Sequence, residues 1–168
     1  ILKDIIDQQI DLMLNYRQSG RPGGSRSKAH YFISLLLSGA MRWDIPERFN
    51  MGVDVCDKWA AYDPSRLALI VEDEHGRVSR HTFGELRDLS NRMANLYLAL
   101  GLGRGDRVGI LLSQSLEAPV AHIGAWKAGL ISFPMFILFG EDALEYRLAD
   151  SGARAIVTDA AGLAKIAA

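Results

Sequence analysis

Between Thr82 and Ala168 short apolar runs alternate with longer helical patterns, and no other feature restricts the fold so strongly. Thr82-Phe83-Gly84-Glu85 has the spacing of a capping box, in which the threonine hydroxyl takes the amide three residues on and the glutamate reaches back. The helix this predicts carries Leu86, Leu89, Met93, Leu96, Tyr97 and Leu100 as one apolar stripe, and Gly101 supplies a left-handed stop. Residues 107–112 then read as a strand and 116–128 as a helix closed by Gly129, with Pro119 tolerated near the first turn. Residues 130–133 form the next strand, ended by Pro134, and 141–150 the next helix, ended at Gly152. A strand at 155–158 and a helical pattern from Ala160 complete the series. Parallel neighbours need a crossover, and helices of this length provide it. The expected class is α/β, a doubly wound and mainly parallel sheet with right-handed crossovers and helices on both faces.

Upstream the pattern changes. Residues 67–71 and 78–82 are β-prone runs separated by Asp73-Glu74-His75-Gly76, which is turn chemistry, so an antiparallel hairpin is expected. Residues 50–62 read as a short helix presenting Val55 and Trp59 and stopped at Asp63-Pro64. Residues 1–14 carry an amphipathic pattern with Leu2, Ile6, Ile10 and Met13 on one face, broken by the Gly- and Pro-rich segment 19–25. Positions 17 to 42 hold five basic residues and no acidic one, which reads as a solvated arm. The division is therefore 1–40, a helix with a basic flexible linker, and 41–168, an α/β subdomain.

At 49% apolar and 23% charged the chain has the composition of a globular domain, and a net charge of −1 provides no field to gather nucleic acid or an anionic membrane. Cys56 is the single cysteine, so neither an internal disulfide nor a thiolate zinc cluster can form, which fits a reducing, cytoplasmic setting. The longest apolar stretch, 31–41, is too short to cross a bilayer. The chain starts at Ile1 without a charged segment and cleavage site, so no signal peptide is expected.

Motifs for chemistry are few. Gly101-Leu102-Gly103-Arg104-Gly105-Asp106 begins like a dinucleotide fingerprint, yet it follows a helix and precedes a strand, the reverse of what phosphate binding at a helix terminus needs. A helix cap and turn account for it. No P-loop pattern occurs. His30, His75, His81 and His122 lack metal-ligand spacing, and His122, among small residues on a helix, reads as a packed side chain. Ser113 and Ser115 lack the glycines of a nucleophile elbow and read as helix caps. The acids at 72–74 read as solvated hairpin-tip residues. No catalytic residue and no metal ligand is therefore assigned.

Phe133-Pro134-Met135-Phe136-Ile137-Leu138-Phe139-Gly140 resists a bland account, because a loop this apolar leaves a patch in water unless something covers it. Either the core takes it, or it is a seam against further protein or against a second copy of the chain.

The order of these segments resembles the acyl-CoA synthetases of the adenylate-forming superfamily. Residues 48–60, with Phe49-Asn50 and Trp59-Ala60, look like the opening helix of the acetate and medium-chain branch. His81-Thr82-Phe83-Gly84-Glu85-Leu86 is similar to the first core motif, and Gly105-Asp106-Arg107-Val108 to the next landmark. Residues 124–134, with Lys127-Ala128-Gly129 and Pro134, resemble the second core motif, and Tyr146-Arg147-Leu148-Ala149-Asp150-Ser151 continues in the same manner.

The resemblance implies a parent enzyme that joins a carboxylic acid to ATP with Mg2+, releases pyrophosphate, and passes the acyl group to CoA. The phosphate loop, magnesium-holding glutamate, ribose-gripping aspartate and terminal lysine of such enzymes find no counterpart in the 168 residues, so the chain alone is expected to be inactive. The loop after the second core motif lies near CoA in the family, which implies that Phe136, Ile137 and Leu138 edge that site. Acetyl-CoA synthetases have small glycines there, where this sequence has bulky apolar residues. The competing expectation is a stand-alone α/β binding module without catalysis.

Overall fold

The computed structural model describes residues 46–73 and 75–167. The amphipathic pattern at 1–14, the basic arm and the apolar stretch at 31–41 lie outside the described residues.

The first helical segment is not uniform. A π-helical turn, Val53–Asp57, runs directly into α1, Lys58–Tyr62. Its i→i+5 pattern rotates the inward face by one residue relative to the expected repeat. Cys56 and Ala60 are consequently the buried pair, while Val55 and Trp59 are partly in solvent. The Trp59 ring still has partners, with the Arg66 guanidinium 4.8 Å above it and Phe83 at 6.3 Å.

Strands β1, Leu67–Glu72, and β2, Val78–Thr82, pair antiparallel as a separate two-stranded sheet. Their turn is organised by Asp73, whose Oδ1 accepts the amides of His75 and Arg77, both at 2.9 Å. Those bonds hold its carboxyl below the usual range, and they give the acid a turn-forming job.

Helix α2, Phe83–Ala99, begins with both arms of the capping box: Glu85 N–H donates to Thr82 Oγ1 at 3.2 Å, and Thr82 N–H to Glu85 Oε2 at 2.8 Å. It buries Leu86, Ser90, Ala94 and Tyr97, whereas Leu96 and Leu100, at the outer edge of the expected stripe, stand exposed. The shift follows from its neighbour. Helix α3, Glu117–Lys127, presents Ala121, Gly124 and Ala125, and small residues let the backbones approach along a line centred on Ser90. Helix α2 ends as predicted, with Gly101 at φ 77° and the Leu102 amide reaching back to the Tyr97 carbonyl at 3.1 Å. In the turn that follows, the Asp106 carboxylate accepts the Gly103 amide at 2.8 Å and Arg154 Nη1 at 2.6 Å.

The second sheet is parallel, with order β4-β3-β5: β3 Arg107–Leu111, β4 Ile131–Pro134 and β5 Ala155–Thr158. Helix α4, Glu141–Ser151, crosses from β4 to β5, and α5, Ala160–Ile166, follows β5. Side chains alternate across β3. Val108 packs with Tyr97, Ala125 and Leu130 toward α2 and α3, whereas Leu111 packs with Met135 and Leu144 toward α4. Helices therefore cover both faces, the doubly wound arrangement expected. Pro134 does not end its strand early; it pairs with Ile110, and the Met135 amide continues the ladder to the Ile110 carbonyl at 2.8 Å. An edge strand accommodates a proline because one side of its backbone has no partner to lose.

Candidate functional site

The two crossovers diverge. From β3 the chain turns into α3 on one face, and from β4 into α4 on the other, so the loops leaving these neighbouring strands part at their carboxyl ends. That is where doubly wound sheets open a ligand crevice. Here it measures about 830 Å³, floored by Ile110, Ser132 and Pro134 and walled by α3, the 135–139 loop and Arg147 of α4.

His122 and Trp126 reach the crevice from successive turns of α3, their rings 5.8 Å apart. His122 Nδ1 is hydrogen-bonded to Ser132 Oγ of β4 at 2.8 Å, and burial pushes the imidazole below its usual pKa, so the ring is neutral near pH 7. It is the packed side chain the sequence suggested, but it also lines the candidate site.

Ser113 and Ser115 do not cap α3. The residue in the capping position is Leu116, already helical at φ −61° and ψ −34°, and no side chain accepts a first-turn amide. A cap needs an extended backbone to aim its hydroxyl inward, and the chain enters this helix without one. Ser113 and Gln114 line the crevice mouth instead.

The apolar 133–140 segment divides. Met135 is 4% exposed and Phe133 and Phe139 are half-buried in the α4-side core, while Phe136, Ile137 and Leu138 are 58%, 39% and 74% exposed. The loop is nonetheless held. Phe136 meets Phe139 edge-on at 5.9 Å, the Arg147 guanidinium lies 4.1 Å from the Phe139 ring centre, and Lys165 Nζ donates to the Ile137 carbonyl. The loop thus turns three apolar side chains outward on a fixed backbone. Beyond it lies a shallower hollow of about 600 Å³, bordered by 138–143 and Lys165.

Lys127 has a role that sequence reasoning missed. Its ammonium, 7% exposed, sits 2.5 Å from Asp57 Oδ1 and donates to Ser90 Oγ at 2.9 Å and Asn91 Oδ1 at 2.8 Å. A lysine inside an otherwise apolar helical pattern was the available signal. Among the described residues no three acid, histidine or cysteine side chains come together as a metal site, and no helix is long and apolar enough to cross a membrane.

Comparison with known proteins agrees with this architecture. An acyl-CoA synthetase of Brucella canis superposes with a TM-score of 0.70 at 32% identity, covering 77% of this chain and 23% of that one. The inhibitor-bound N-terminal domain of FACL13 from Mycobacterium tuberculosis superposes with a TM-score of 0.64 at 28% identity, covering 71% of this chain and 29% of that one. An acetyl-coenzyme A synthetase of Methylobacillus flagellatus is 34% identical over 122 residues, 73% of this chain and 19% of its own length. The chain therefore spans about a fifth of the length of the curated relatives it matches. Residues 56–168 match the sequence pattern of the AMP-binding enzymes. With that match over most of its length and these neighbours in structure, the chain belongs to the AMP-binding enzyme family and is similar to its acyl-CoA synthetases.

Proposed function

We propose that this chain serves as the first α/β part, residues 41–168, of an AMP-forming acyl-CoA synthetase, a cytoplasmic enzyme converting a carboxylic acid, ATP and CoA to acyl-CoA, AMP and pyrophosphate. The family match over residues 56–168 carries the proposal. Adenylation makes the carboxyl carbon attackable by a thiol, and it requires cations to neutralise charge moving onto phosphate. The described residues assemble no acidic cluster that fits Mg2+ and no phosphate loop, so nucleotide chemistry is assigned to the rest of the enzyme. What the chain supplies is a rigid scaffold and, at its surface, Phe136, Ile137 and Leu138 as the edge of the CoA site. Their outward placement on a loop pinned by Lys165 and Arg147 supports that role.

The test is to express this chain beside the full reading frame that contains it. The full protein catalyses carboxylate-dependent exchange between ATP and pyrophosphate and forms a CoA thioester, while the 168 residues alone do neither. Exchange by the short chain, or a full protein without either activity, overturns the proposal. Leu138→Asp in the full enzyme raises KM for CoA several-fold and leaves exchange, which precedes CoA attack, unchanged. Equal loss in both half-reactions removes the three residues from the CoA edge.

A further inference from the structure

We propose that the crevice at the carboxyl ends of β3 and β4 binds a neutral amphipath, a medium-length alkyl chain ending in an amide, ester or hydroxyl group, with His122 recognising the polar end. The inference rests on the crevice itself; Phe136 and Ile137, placed at the CoA edge above, also line it, but no adenylation chemistry enters the argument.

The dimensions suit a small organic molecule, since such sites hold about 300–1,000 Å³ and this one about 830 Å³. Its walls are chiefly apolar, with Ile123, Trp126, Met135 and Phe139 around the floor. An alkyl chain there gains burial without leaving polar groups unpaired.

Selection of the head group follows from the few polar atoms in reach. His122 Nδ1 is satisfied by Ser132, while Nε2 has no hydrogen-bond partner among the described residues. The serine hydroxyl can donate to Nδ1 or accept from it, so Nε2 can present either a proton or a lone pair. A neutral imidazole thus offers one hydrogen bond of either sense and no charge. Among the described residues Arg147 is the one lysine, arginine, aspartate or glutamate side chain lining the crevice, and it is stacked on Phe139 and donates to the Ala143 carbonyl at 3.1 Å. An anionic head would be drawn to Arg147 and away from His122.

The test is a titration of the full 168-residue chain, 15N-labelled at histidine, with octanamide, and in parallel with octanoate and with acetamide; no ATP or CoA is present. Octanamide shifts the His122 ring resonances saturably, acetamide does not, and octanoate shifts them at least tenfold more weakly. His122→Phe abolishes octanamide binding and leaves the backbone amide spectrum beyond the crevice in place. The wild-type titration decides the matter even where that variant folds poorly. Unmoved His122 resonances, an equal response to acetamide, or an octanoate response as strong as that of octanamide overturns the proposal. Because none of these arms involves adenylation, its failure leaves the ligase reading standing, and the converse holds.

Discussion

Lys127 Nζ lies 2.5 Å from Asp57 Oδ1, which joins the end of α3 to the π-helical turn some seventy residues earlier in the chain. Oδ1 is buried and has no other hydrogen-bond partner among the described residues, so the ion pair is its main compensation for lost water. Removing the lysine leaves the carboxylate charged and unmatched, and because Asp57 is 27% exposed and keeps part of its hydration the cost falls to about 1–3 kcal/mol, below that of a fully buried pair. Lys127→Met therefore lowers the urea midpoint strongly. Asp57→Leu combined with Lys127→Met recovers more than half of the loss, because two matched apolar groups need no partner. An equal midpoint for the single and double variants rejects this account.

Cys56 neighbours the same pair and is 0% exposed. Burial raises its thiol pKa, and the nearby Lys127 charge opposes that shift only in part. Since thiolate is the reactive form, native chain alkylates with iodoacetamide far more slowly than urea-unfolded chain at pH 8. Rates within threefold of each other show that the thiol is accessible.

The contact between α2 and α3 depends on one glycine. A Cβ at Gly124 would sit 2.8 Å from Met93 Cβ and 3.0 Å from the Ser90 carbonyl oxygen, so Gly124→Ala pushes the helices apart and destabilises by about 1–3 kcal/mol. Gly103→Ala is the control, because nothing lies within 4 Å of its Cβ position. Thermal unfolding separates them: a large drop in Tm for the first and little change for the second.

Much of this architecture was legible because local signals agreed with one another. The capping box at Thr82, the stop at Gly101 and the strand at Arg107 each specify an end or a period, and those depend on neighbours in sequence. What sequence could not show depended on partners far along the chain. Leu96 and Leu100 belong to the apolar stripe by spacing, yet they lie exposed because small residues on α3 draw the contact line toward Ser90 and Ala94. Lys127 was visible only as a helix end; its burial requires Asp57 and Asn91, which come from two other segments. The crevice escaped for a similar reason, since it exists only where the β3 and β4 loops diverge.

The capping box gives a cleaner local test. Thr82→Ala removes the acceptor for the Glu85 amide at 3.2 Å, and loss of such a cap costs about 1 kcal/mol. Thr82→Ser keeps the hydroxyl and holds stability near that of wild type. If alanine and serine destabilise equally, the lost methyl packing and not the cap governs the site.

His122 makes stability depend on pH in a direction that can be worked out. Burial depresses its pKa in the folded state, whereas the unfolded chain takes up a proton near the ordinary value of about 6.5. As pH falls below that value the unfolded state binds the proton first, and the fold loses stability until the folded pKa is passed. Arg147, also lining the crevice, adds a charge of the same sign and cannot rescue a protonated ring. Urea unfolding at pH 7.5, 6.5 and 5.5 therefore shows stability declining across the series. His122→Phe flattens that decline, because phenylalanine fills the same space with nothing to titrate. An unchanged slope in the variant would assign the pH dependence to other groups and mean that His122 takes up its proton equally in the folded and unfolded states.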